Sequence, residues 1–228
     1  NPYMVINDPK YLDYASSAPP LREALQLFTE SASEFYANPS SMHTTGISAR
    51  NKMLELKNGF CELLGFHDGR LLLCSSGTEA NNTVVQGFMR MIPGGHMLIA
   101  ENVHESIWFA TRLYPGRTDI LKIDNHGKID PGQVRKQLKD RPCRVCISHG
   151  CNETGVIQPV QVMAEYCDYH HIPLLVDGAQ TVGHIPINLD EVPCAYYTFS
   201  SHKFGAPKGT GGALIRDEAF GNLLFGGK

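Results

Sequence analysis

Apolar residues recur in two alternating rhythms along the chain. Leu21, Ala24, Leu25, Phe28, Ala32 and Phe35 keep the three-to-four-residue spacing of an amphipathic helix. After a loop around Asn38 to His43, the face Ala49, Met53, Leu56, Phe60, Leu63 and Leu64 predicts a second helix, which Gly65 should stop. From Arg70 short apolar runs alternate with helical patterns. Residues 71–74 predict a strand, and Ala80, Val84, Val85, Phe88 and Met91 mark the next helix. A strand at 96–100 precedes a helix from His104 to about Tyr114, and a further strand is expected at 119–123. Asp130-Pro131-Gly132-Gln133 supplies an N-cap, a first-turn proline and a glutamine at the third helical position. Strands follow at 144–149, 172–177, 195–199 and 211–215, with Val160, Met163, Ala164 and Cys167 marking the helix between the first two. The near-continuous apolar run at 172–176 is that of a strand buried on both faces. The alternation predicts an α/β fold, a mainly parallel sheet flanked by helices.

Composition narrows the function classes. Hydrophobic residues make up 42% and charged residues 19% of the 228-residue chain, the profile of an ordinary globular protein. A formal net charge of −3 gives no electrostatic case for nucleic acid or a membrane surface. No run of about eighteen apolar residues occurs, so no membrane-spanning helix is predicted. Seven cysteines, an odd number on a chain of this size, favour reduced thiols and a cytoplasmic setting. Cys143 and Cys146 form a C-x-x-C, but within a strand the two would point to opposite faces, and no metal site is expected there. The chain stops in the Gly-rich turn Phe225-Gly226-Gly227-Lys228, just after a strand, so the polypeptide is expected to continue.

The chemistry-bearing residues collect at strand ends. Lys203 lies in the turn from Ser200 to Gly209, after a predicted strand. Asp177 ends an apolar strand, and Gln180 follows it. Thr78 opens a helix, where free N–H groups and the helix dipole suit a phosphate. His104 opens another, at an edge where it could stack on a planar ring and serve as acid or base. Asn152 follows the strand at 144–149. Singly, each has an ordinary reading: a solvated lysine, a helix cap, a polar first-turn residue. Together they converge on one sheet edge, the edge at which α/β proteins place ligands. A lysine amine, a carboxylate and a phosphate cradle are the parts a pyridoxal phosphate site requires. Neither a nucleotide P-loop nor a dinucleotide fingerprint is present.

The stretches Tyr11 to Ala15, Asn38 to Ser41, Ser76 to Asn82, Asn102 to His104, Asn152 to Pro159, Asp177 to Gly183 and Ser200 to Gly209 carry a resemblance. They resemble, in order and over nearly the whole chain, the cysteine desulfurases and selenocysteine lyases of the class V aminotransferase superfamily. The resemblance implies the large domain of a fold-type-I pyridoxal phosphate enzyme over residues 21–228, preceded by an extended segment over residues 1–20, with the C-terminal small domain absent. It implies that Lys203 carries the cofactor on its amine and that Asp177 pairs with the pyridinium nitrogen. Gln180 would bond the phenolate oxygen, and His104 would stack on the ring. Thr78, Ser200 and His202 would hold the phosphate, and Asn152 would approach the substrate.

The implied parent activity is release of sulfur from L-cysteine to give alanine, with a homodimer, a sulfur-acceptor protein and iron–sulfur cluster assembly as its setting. Selenocysteine, another C–S substrate and another class V aminotransferase reaction stay open as alternatives, as does a cofactor-holding scaffold without turnover. The chain departs from the family pattern at Ser16-Ser17, usually a Thr pair, at Cys151, usually Asn, at Ser201, and at Phe204-Gly205-Ala206. No cysteine here matches the family's nucleophile, and its substrate-carboxylate arginine is also missing.

Overall fold

A computed structural model of the chain describes residues 10–113 and 116–216. The expected helix end at Tyr114 and the Gly-rich turn at 225–228 lie outside these residues. Two N-terminal helices, α1 (Arg22–Glu34) and α2 (Thr44–Leu63), precede the alternating part. There follow β1 (Arg70–Cys74), α3 (Gly77–Met91), β2 (Gly94–Ala100), α4 (Glu105–Thr111) and β3 (Gly116–Leu121). Then come α5 (Pro131–Gln137), β4 (Arg144–Ser148), α6 (Val160–Tyr169), β5 (Leu174–Asp177), β6 (Tyr196–Ser200) and β7 (Gly211–Ile215).

The seven strands form one sheet in the order β1-β7-β6-β5-β4-β2-β3. Strands β2 to β6 are parallel. β7 runs against both of its neighbours, so β1 points the same way as β2 to β6. The predicted alternation is therefore realised, and all loops after β1, β2, β4, β5 and β6 open at one edge.

The strand pleat sorts side chains into two apolar layers. Val145, Ile147, Leu174, Val176 and Leu214 face the layer that includes Val134, Met163, Ala164 and Cys167 of α5 and α6. Cys146, Leu175, Tyr196, Ala213 and Ile215 face the other, which includes Val84, Val85 and Phe88 of α3 and Ile107 of α4. Burying each Val, Leu or Ile contributes about 1.5–3 kcal/mol, which is what holds the helices to both faces. Cys143, one residue ahead of β4, packs against the same layer as Cys146, because the strand's alternation has not yet begun. Both are free thiols, and burial pushes Cys146 up to about 12.

Helix α2 forms as its spacing predicts, and Gly65 ends it with φ +60°, a conformation glycine adopts without strain. Its apolar face is less covered than the pattern suggests: Ala49 and Leu64 are buried, while Leu56 and Leu63 are 56% and 82% exposed. Helix α1 buries no residue. Helical periodicity records an apolar face but not what covers it.

Candidate active site at the carboxyl edge of the sheet

Helix α3 begins beside the end of β6, although β7 lies between β1 and β6. Gly211 makes this possible. A Cβ there would sit 2.5 Å from the Ser76 carbonyl carbon and 2.8 Å from the Gly77 nitrogen. Lacking one, β7 lets the first turn of α3 cross to Ser200, whose Cβ is 3.1 Å from where a Gly77 Cβ would lie. Ser76 caps the helix by accepting from Glu79 N, and its carbonyl accepts from Ala80 N. The N–H groups of Gly77 and Thr78 are not engaged by these bonds. Gly211→Ala should therefore push the α3 turn away from Ser200. The expected result is at least a tenfold loss of affinity for pyridoxal phosphate, with less loss for unphosphorylated pyridoxal, on the scale of one charge-assisted hydrogen bond. Equal affinities in wild type and variant would refute this role for the crossing.

Asp177 is 6% exposed at the end of β5. Its Oδ1 accepts from Ala179 N at 2.9 Å, and its Oδ2 accepts from Asn81 Nδ2 at 2.9 Å. Both donors are neutral. A buried carboxylate bonded only to neutral groups retains unspent attraction for a cation.

The Lys203 amine feels the charge of Asp177. Lys203 lies in a single 3-10 turn, Ser201–Lys203, directly after β6. Ser201 closes this turn by donating from Oγ to the Thr210 carbonyl at 2.6 Å. His184 Nε2 bonds the Lys203 carbonyl at 2.9 Å. Desolvation lowers the Lys203 amine below its ordinary value, against the pull of Asp177, which raises it. Among the described residues the amine makes no ion pair or hydrogen bond. A half-buried amine with a lowered proton affinity is a competent nucleophile toward a carbonyl.

The extended N-terminal segment is strapped across this edge. Gln180 Nε2 donates to the Ala15 carbonyl at 3.1 Å, and His202 Nδ1 lies 3.1 Å from Ser17 Oγ. Ala18 N donates to His202 O at 3.0 Å and Leu21 N to Gly205 O at 2.8 Å. The side chain expected at a phenolate oxygen thus holds the strap through one of its two N–H groups. Desolvation, then the positive charges of Lys203 and Lys208, lower His202.

His104 caps α4. Its Nδ1 faces Ser106 N at 3.1 Å and Ser106 Oγ at 2.8 Å. Asn152 stands exposed in the loop after β4, a loop held by Gly155 N to Cys151 O at 2.9 Å and Cys151 N to Val156 O at 3.1 Å. Like Thr78, Ser200 and the Lys203 amine, it makes no side-chain hydrogen bond to the other sequence-selected residues among the described residues. Beside it, burial raises the Cys151 thiol, but hydrogen bonds from the Thr154 hydroxyl and the backbone of Thr154 and Glu153 leave it below its ordinary value.

Asn81 and Ser106 have no evident role in the chain's chemistry when read along the sequence. Yet Asn81 is a polar residue on the apolar stripe of α3, between Ala80 and Val84, and that misfit is a signal of a buried polar contact.

The donor set suits a pyridinium ring bearing a phosphate. A buried carboxylate with neutral partners and a desolvated amine share one edge with a helix N-terminus crossed tightly onto a serine. These features define the cofactor-holding large domain of a fold-type-I pyridoxal phosphate enzyme. The chain belongs to the aminotransferase class-V family, whose model matches residues 10–228.

Cysteine desulfurase IscS of Dictyoglomus turgidum is 32% identical over 212 residues, covering 90% of this chain and 54% of the relative. A structure described as SspA in complex with cysteine superposes with a TM-score of 0.88 at 26% identity, over 96% of this chain and 65% of the other. A NifS-like protein from Rickettsia africae shares the fold, with a TM-score of 0.86 at 24% identity over 95% of this chain and 61% of that one. The chain spans about half the length of the curated relatives it matches. Class V aminotransferases and cysteine desulfurases depend on pyridoxal phosphate.

Proposed function

We propose that this chain is the cofactor-holding part of a cysteine desulfurase, which releases sulfur from L-cysteine and leaves alanine. The observation that carries the reading is the pairing of Asp177, buried with neutral partners only, and Lys203, half-buried with its amine unengaged, at one sheet edge. The match to relatives named cysteine desulfurase and to a cysteine-bound structure supports cysteine as the substrate.

Pyridoxal phosphate, when bound, supplies an electron-withdrawing ring that eases bond breaking next to the substrate nitrogen. The chain's own residues then have these duties. Lys203 holds the cofactor through its amine. Asp177 keeps a proton on the ring nitrogen, and Asn81 and Ala179 N hold that carboxylate in place. Gln180 offers its second amide N–H to the phenolate oxygen while the first keeps Ala15. Thr78, Ser200 and His202, with the α3 turn, receive the phosphate. His104 covers the ring, and Asn152 approaches the substrate. The strap from Tyr11 to Leu21 limits water at the edge it crosses. No helix is long and apolar enough to cross a membrane among the described residues. A cytoplasmic homodimer that passes sulfur to an acceptor protein, as in iron–sulfur cluster assembly, completes the proposal.

Borohydride treatment of the chain loaded with pyridoxal phosphate, followed by peptide mapping, should place the pyridoxyl group on Lys203. Label on Lys208 would overturn the site. Alanine release from L-cysteine by the protein containing this chain tests the reaction. Cofactor retention without alanine release would reduce it to a scaffold.

A further inference from the structure

We propose that Asn81 is a positioning residue that couples the Asp177 carboxylate to the proton position on His104. This rests on the reading of the edge as a pyridoxal phosphate site only for its consequence on binding; the coupling itself is a property of the chain. The argument follows hydrogen-bond direction. The Thr198 hydroxyl donates to Asn81 Oδ1 at 2.6 Å. Asn81 Nδ2 then has two hydrogens to place, and two acceptors stand within reach: Asp177 Oδ2 at 2.9 Å and Ser106 Oγ at 3.0 Å. The reverse amide orientation would aim Oδ1 at Asp177 Oδ2, an acceptor against an acceptor in a site where Asn81 is 2% exposed.

With Ser106 Oγ accepting from Asn81, its own hydrogen is free to go to His104 Nδ1 at 2.8 Å. Ser106 N–H points at the same nitrogen from 3.1 Å. Two donors converge on Nδ1, so Nδ1 presents its lone pair and the neutral ring carries its hydrogen on Nε2. Among the described residues Nε2 has no hydrogen-bond partner. It is the nitrogen left to meet a ligand, and it meets it as a donor. One buried amide thus holds one oxygen of the Asp177 carboxylate and leaves the Ser106 hydroxyl free to join Ser106 N–H as a donor to His104 Nδ1.

The test uses chain with nitrogen-15 in its histidines. The ring shifts of His104 at neutral pH should show hydrogen on Nε2 in wild type. In Asn81→Asp a carboxyl oxygen, its proton shared with the adjacent Asp177, replaces the amide donor, and the Ser106 hydroxyl should turn toward it, away from Nδ1. The His104 shifts should then move as they do in Ser106→Ala, although residue 81 does not bond His104. Ser106→Thr, which keeps the hydroxyl, should restore the wild-type pattern, and adding Asn81→Asp to Ser106→Ala should change little more. Pyridoxal phosphate affinity should fall about tenfold in Asn81→Asp, the scale of losing one hydrogen bond to a charged group. Hydrogen on Nδ1 in wild type, or His104 shifts unmoved by Asn81→Asp, would overturn the inference. Failure of pyridoxal phosphate to bind wild type would instead remove the cofactor reading, and the shifts would still decide the coupling.

Discussion

Asp177→Asn should keep pyridoxal phosphate on Lys203 yet slow exchange of the substrate α-proton with solvent by about 10²–10³-fold, the scale of removing one preorganised electrostatic partner. The carboxylate is 6% exposed and spends both oxygens on neutral donors, Ala179 N and Asn81 Nδ2. Its charge is therefore available to hold a proton on the ring nitrogen. An asparagine of the same shape keeps the space but cannot hold that proton by charge. It also brings an amide N–H₂ toward Asn81 Nδ2 or Ala179 N, so the exchange should cost some cofactor affinity as well. Proton exchange followed by NMR in deuterated water, with bound cofactor measured in parallel, separates the two effects. An unchanged exchange rate at full cofactor occupancy would remove Asp177 from its proposed role.

Acidification should destabilise the fold through His149. The residue is 8% exposed and bonds the Tyr197 hydroxyl at 2.7 Å through Nδ1. Tyr197 OH in turn lies 2.9 Å from Thr181 Oγ1, next to Gln180. Burial lowers His149 from its ordinary 6.5 to about 4. A histidine whose folded value lies below its unfolded value favours the folded state while it is neutral. Its contribution is thus complete above about pH 6.5 and is lost as pH falls toward 4, where the unfolded chain takes up the proton first. A difference of this size corresponds to roughly 3 kcal/mol. Denaturant unfolding at pH 7 and pH 4 measures it, with His149→Gln as the reference. The wild type should lose roughly that much more stability than the variant between the two pH values. Parallel losses would show that His149 does not carry the effect. Because His149 and Thr181 flank the loops of Asn152 and Gln180, the same acidification should loosen the site before global unfolding.

Much of the fold was legible along the chain because its signals are local. The strand at 172–177 announced itself as an unbroken apolar run, and β5 is buried at every position. Val160, Met163, Ala164 and Cys167 share one helical face, and all four are buried on α6. The site residues were legible in part because strand ends in a parallel sheet share an edge, so a lysine after one strand and a carboxylate ending another must be neighbours of that edge. The limits were those of periodicity. It marked the apolar face of α2, but Leu56 and Leu63 stand in solvent. It placed Cys143 inside a strand that begins at Arg144.

What the sequence by itself determined is therefore the alternating α/β order, the helices and strands to within a few residues, and the set of polar side chains at the carboxyl edge. Each depends on spacing within a short window, where backbone geometry alone relates neighbouring side chains. The tertiary structure alone decided how those side chains meet. The reversed β7 separates β1 from β6, and the missing Cβ of Gly211 then brings the α3 turn back onto Ser200. Asn81 reaches Asp177 across 96 residues and Thr198 across 117, and Gln180 reaches Ala15 across 165. Such contacts are fixed by strand order and by the packing of helices on the sheet. No periodicity along the chain encodes them.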